Sequence, residues 1–302
     1  MPYRIRPDRQ LLAEVRSVAR SELEKAIEIL QAKPEGLHPA IHAARKKFKR
    51  LRNLYRLVAA GDKSFRRQEN ARLRDIARSL SRIRDATALI ETIEHLADHA
   101  VTDDESVSLA ATREVLTRRR DEIAAGESDL EAKVSDAIEA CQAAILALDD
   151  LTLPSKPGHA ARLIAKGWRK GLEQAHEALE SCEGEGHGEA YHDLRKAAQA
   201  YWMNLSLLRD LWPSALDAKR SDAKTLVELL GHEHDLTVLT TLLDHEPDLF
   251  GDGEGQSFLL AIIIRRQMAL RREALTLADM VFADAAKDEA SIIETLWLRA
   301  SA

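Results

Sequence analysis

The chain has 302 residues, 45% of them hydrophobic, which is enough apolar material for a buried core and excludes a disordered chain. Its formal net charge is −6, from 44 basic and 50 acidic residues. That sum argues against a uniformly basic polyanion binder, but ligands respond to local patches rather than totals. Two cysteines, Cys141 and Cys182, cannot build a disulfide framework. The opening MPYRIRPDRQ lacks the apolar stretch of a secretion signal, and no apolar run reaches the roughly 18 residues of a membrane span. A cytoplasmic protein without membrane contact is the expectation.

In chain order, helical periodicity predicts helices over 8–32, 38–60, 64–99 and 105–148, the last broken around Gly126. LTLPSKPGH (151–159) reads as a linker, and helices follow over 159–182, 188–211, 215–245 and 257–300, the last with a break near Asp288. Other Gly/Pro-rich turns fall at 33–39, 59–64, 183–188, 212–214 and 246–257. The expected fold is all-α. It consists of a first four-helix half (1–150), a linker (151–158) and a second four-helix half (159–302). The acids crowd into expected loops, such as Asp103-Asp104-Glu105 and Asp149-Asp150, whereas the bases gather on helices.

The sequence repeats itself at one spacing. His42, Arg45 and Lys46 in IHAARKKFKRLRNLYRL recur 150 residues later as His192, Arg195 and Lys196 in YHDLRKAAQAYWMNLSL. Asp85 in SLSRIRDATALI maps onto Asp235 in ELLGHEHDLTVL at the same offset. An internal duplication is therefore expected, with two helical bundles related by a pseudo-two-fold axis.

On a helical wheel, Ala44, Phe48, Leu51, Leu54, Tyr55 and Val58 share one arc, the expected core face. His42, Arg45, Lys46, Lys49, Arg52 and Arg56 fall on the opposite arc, a basic strip about 21 Å long. No acid interrupts it, although like charges at i,i+4 spacing destabilise a helix by a few tenths of a kcal/mol unless something neutralises them. An ordinary solvated face would carry glutamates, so an anionic ligand is expected. Gln199, Trp202 and Ser206 stand at the matching places of the second half. Most of the charge should therefore come from the first half. Arg16 and Arg20 on the opening helix, Lys166 and Arg169 on its counterpart, and Arg84 are further candidates.

The stretch HAARKKFKRLRNLYRL (42–57), Leu80 to Asp85, His192 to Arg195 and Leu229 to Asp235 together resemble the CHAD family, the conserved-histidine α-helical domain. The resemblance covers essentially the whole chain. It implies two related helical bundles and a basic surface or channel that binds inorganic polyphosphate. It departs from the family at Gln199 and Trp202, where Lys or Arg is usual, and at Ser81, where Gly231 keeps the glycine. The strand signature of the triphosphatase domain often joined to such domains is absent, so the expectation is a non-enzymatic binding domain without cofactor.

Two alternatives belong to other classes. A nucleic-acid-binding helical protein could use the same strips, but they lack stacking aromatics apart from Trp202, which disfavours it. A metal-dependent phosphohydrolase would need convergent ligands. His232 and His234 point to opposite sides of a helix, and His95, His99 and Glu91 share a face in a pattern common by chance on exposed helices, so no metal is expected.

Overall fold

The computed structural model describes residues 3–80, 82–126, 129–183 and 188–301, without the side chains of 82–84. Ser81, the side chain of Arg84 and most of the expected turn at 183–188 thus lie outside the described residues. Among the described residues the fold is all-helical, with no strand. The α-helices are α1 (Leu11–Ala32), α2 (Leu37–Leu57), α3 (Lys63–Ser79), α4 (Arg82–Ala97), α5 (Asp103–Gly126) and α6 (Leu130–Ala147), then α7 (Pro157–Glu183), α8 (Gly188–Leu208), α9 (Pro213–His245), α10 (Gly253–Val281) and α11 (Ala286–Ala300).

Several boundaries differ from expectation. The expected helix 64–99 is two helices, α3 ending at Ser79, whose hydroxyl donates to the Ile76 carbonyl and weakens the last turn. Its counterpart α9 runs unbroken for 33 residues. The break in the last region falls at 282–285, and Asp288 sits in the first turn of α11, where a carboxylate complements the helix dipole. Residues ahead of Leu11 form an arm instead of a helix, pinned by the Ile5 amide on the Leu207 carbonyl at 2.9 Å. Asp103, Asp104 and Glu105 open α5 and are not loop residues. The expectation of four helices in each half therefore gives way to six before the linker and five after it among the described residues.

The apolar residues bury in two clusters, and neither respects the linker. The larger cluster joins α1, α2, α3 and α6 to α7, α8, α11 and the first half of α9. The smaller is built from α4, α5, the later part of α9 and the early part of α10, including Ile93, Leu109, Leu239 and Ile263. At 1.5 Å per residue α9 is about 50 Å long, long enough to contribute to both. The linker lies on this core: Leu151 is buried, and Thr152 donates its amide and hydroxyl to Asp62, the N-cap of α3.

Two details set α2 against the second half. A Cβ on Gly167 of α7 would stand 1.9 Å from the Leu57 carbonyl oxygen, so only glycine lets these helices approach so closely. Asn53 of α2 donates to Asn204 of α8 at 2.8 Å in a buried amide pair. Unpartnered, each amide would cost about 1–3 kcal/mol, so the pair also selects one register of α2 on α8.

Candidate functional site

The core arc of α2 is buried as its periodicity requires, with Ala44, Phe48, Leu51, Leu54, Tyr55 and Val58 all at 2% exposure or less. Its basic arc consequently faces away from the core, toward α8 and α9. Three connected cavities of about 430, 290 and 570 Å³ follow this seam. The first is lined by His42, Arg45, Lys46 and Lys49 of α2, Asp85 and Thr92 of α4, Arg195 of α8, and His234 and Asp235 of α9. The second is lined by Lys49, Arg52, Asn53 and Arg56, with His192, Arg195, Lys196 and Gln199 opposite. Lys49 and Arg195 line both, and Arg56 and Lys196 continue into the third beside Arg66 and Gln174. One groove results, with α2 as one wall and α8 as the other.

Of the residues expected at the site, the fold brings together His42, Arg45, Lys46, Lys49, Arg52, Arg56, His192, Arg195 and Lys196. It does not bring Arg16, Arg20, Lys166 and Arg169 to these cavities. Arg16 instead donates to the carbonyls of Asp149 and Leu151, tying α1 to the linker, and Arg169 pairs with Glu173 one turn away. The stripes on α1 and α7 are matched in sequence but lie on other faces of the molecule. Sequence reasoning missed Asn53 and His234 as groove residues. A signal for His234 existed: it stands 150 residues after Arg84, the same offset that separates His42 from His192.

The basic residues fall into two groups by partner. Among the described residues six glutamates are buried, and each holds a cation: Glu14 holds Arg6, Glu22 holds Lys47 and Arg50, Glu69 holds Arg72, Glu105 holds Arg265, Glu233 holds Arg271 and Glu289 holds Lys219. Those bases are structural. Arg119 is likewise occupied by Glu246. In the groove, by contrast, Lys46, Lys49, Arg56 and Arg195 make no ion pair among the described residues. Arg52 donates to the neutral Asn70, Arg45 to the Ala77 carbonyl at the end of α3, and Lys196 to Asp193.

Crowding these cations has an electrostatic signature. Burial, then Arg195 and Arg45, lowers the Lys49 pKa from 10.5 to about 8. Burial lowers Arg52, Arg56 and Arg195 as well, with neighbouring arginines adding to it for Arg52 and Arg56. His192 and His234 stack with ring centroids 4.6 Å apart; burial and the adjacent Arg195 hold His234 down at about 4, and His192 is lowered too. The shielded Nδ1 of His192 has no hydrogen-bond partner among the described residues. Every one of these shifts disfavours positive charge: burial leads in each, neighbouring cations add to it for Lys49, Arg52, Arg56, His192 and His234, and for Arg195 the carboxylates of Asp235 and Glu233 oppose it.

A second histidine stack lies on the other side of α9. His95 of α4 and His232 are 3.7 Å apart by ring centroids, and His99 tilts against His95. Burial followed by His232 and His99 holds His95 near 4. Among the described residues, no group of three or more His, Cys, Asp or Glu side chains is placed to hold a metal ion. No described helix is long and apolar enough to cross a membrane.

No curated protein matches the chain significantly. The family model described as CHAD domain matches residues 21–244, a span that includes both walls of the groove and both histidine stacks. The chain therefore belongs to the CHAD domain family.

Proposed function

We propose that the groove binds inorganic polyphosphate along its length and that the domain acts by binding, without catalysis. The observation that carries this is the run of cations from Lys46 to Arg56, faced by Arg195 and Lys196, with Lys49 set among like charges. Polyphosphate is a flexible chain with about one charge per unit, so it needs many donors and little shape. Arginine forks can donate twice to phosphate oxygens, and lysines supply mobile point charges. Some members of the family bind polyphosphate, which supports the assignment. No Phe, Tyr or Trp lines the three cavities, whereas single-stranded nucleic acid needs aromatic faces for its bases.

The same proposal takes the chain as two repeats. In it, α1 and α2 correspond to α7 and α8, α3–α4 to the unbroken α9, and α5–α6 to α10–α11. The Asn53–Asn204 pair then joins like helices near the middle of the groove. A second reading, a metal-dependent phosphohydrolase, would draw on Asp85 and Asp235, which line the cationic cavity with His42 and His234 but, among the described residues, do not converge as a metal-holding group.

Competition of long-chain polyphosphate against RNA and DNA at matched phosphate concentration tests the binding reading. Polyphosphate should win clearly, and equal affinity for single-stranded RNA would reduce the site to a generic basic patch. Sizing the chains after incubation with magnesium or manganese tests the other reading. Unchanged lengths support binding alone, and shortening would establish the hydrolase.

A further inference from the structure

Lys49 stands where the two inner cavities meet and lines both. Lys33, Lys47, Lys196, Lys219 and Lys224 each meet a carboxylate, but the Lys49 amine makes no ion pair or hydrogen bond among the described residues. Its charged surroundings are Arg45, Lys46 and Arg195, opposed by Asp235. The side chain remains open to solvent from the groove.

We propose that Lys49 is a site of covalent acylation by acyl phosphates, whose phosphate is held among Arg45, Lys46 and Arg195 while the carbonyl carbon meets the Lys49 amine. An acyl phosphate carries both parts such a site requires, an anion for the cations and an electrophile for the nitrogen. The neutral amine attacks the carbonyl carbon with its lone pair. The C–O bond to phosphate then breaks, inorganic phosphate departs with that electron pair, and the surplus nitrogen proton passes to water. No oxidant or further reactant is required. The product is an uncharged amide at the junction of the cavities, which removes one cation and narrows the groove. Acylation and polyanion binding therefore oppose each other.

The amine is prepared for this role. With its pKa near 8, about one Lys49 amine in four is neutral at pH 7.5, against about one in a thousand for an ordinary lysine. Some of that advantage is lost because a less basic amine is a weaker nucleophile, and a net preference of about tenfold remains.

The inference rests on the groove holding phosphate, so the test separates the two. The full chain is incubated with acetyl phosphate at pH 7.5, and the initial acetylation rate of every lysine is read by peptide mass spectrometry. The exposed Lys63 and Lys224 serve as references. Tripolyphosphate binding to the unmodified protein is titrated in parallel. Lys49 should acetylate well over tenfold faster than the references, and tripolyphosphate should suppress Lys49 with the other groove lysines, Lys46 and Lys196, while sparing Lys63 and Lys224. With an uncharged acetyl ester in place of acetyl phosphate, the preference should fall back to about tenfold, because only the lowered basicity remains. Tripolyphosphate binding without preferential Lys49 acetylation would overturn the inference and leave the proposed function standing. Preferential acetylation that tripolyphosphate does not suppress would overturn both, since the phosphate would then not sit at Lys49.

Discussion

Arg195 offers the sharpest test of where the ligand lies. Its side chain lines both inner cavities from the α8 wall, opposite Lys49, and it makes no ion pair among the described residues. A hydrogen bond to an ionised partner contributes about 1.5–3 kcal/mol, and the open groove screens part of that, leaving about 1–2 kcal/mol. Arg195→Ala should therefore weaken polyphosphate binding by roughly 5- to 30-fold, at about 1.4 kcal/mol per factor of ten. Stability should hold or rise slightly, because Arg195 lowers the pKa values of Lys49 and His234, and its removal relieves that repulsion. The double change Lys166→Ala with Arg169→Ala is the matched control; it removes two cations outside the groove and should leave affinity unchanged. Isothermal titration beside urea melts reads both quantities in one buffer. An Arg195→Ala protein that binds normally would place the ligand elsewhere. One that melts well below the parent would mean that Arg195 is held structurally by Asp235 and Glu233, the carboxylates that partly offset its lowered pKa.

Log affinity for polyphosphate should fall linearly with log salt. With Arg45, Lys46, Lys49, Arg52, Arg56 and Arg195 engaged, the slope should be roughly −4 by analogy with single strands, and a flat dependence would rule these charges out. Affinity should also fall as pH rises from 7 to 9. The free Lys49 loses its proton through about pH 8 while a bound anion favours the protonated form, and Lys49→Arg should remove the decline. Stability of the free protein should drop as pH falls from about 6.5 towards 4. The unfolded histidines take up protons in that window, whereas folded His95 and His234 resist them down to about 4, a slope of up to about 1.4 kcal/mol per pH unit for each. Urea melts at pH 7 and 5.5 check this above the range where carboxylates titrate, and saturating polyphosphate should flatten the His234 share alone. Gly167→Ala should cost about 3 kcal/mol or more, seen as a lower denaturant midpoint at unchanged slope, because its Cβ would overlap the Leu57 carbonyl.

Much of this molecule was legible along the chain. The apolar period of α2 assigned its core face correctly, and with it the opposite strip that became a groove wall, because the angle between residues of a helix follows from their spacing alone. The repeated His-x-x-Arg-Lys triplets marked the two walls for the same reason. Tertiary structure decided what lies across from what. Arg16 and Arg169 matched the pattern yet point elsewhere, since a helix face has no function until another helix closes over it. Counting charges gave α2 the larger share of the groove's cations, but only the fold sets Arg195 of α8 where the two inner cavities meet. The sorting of bases into structural and partner-free sets was likewise beyond the sequence. Whether Arg265 neutralises Glu105 or waits for a ligand depends on contacts between residues 160 apart, which no local periodicity encodes.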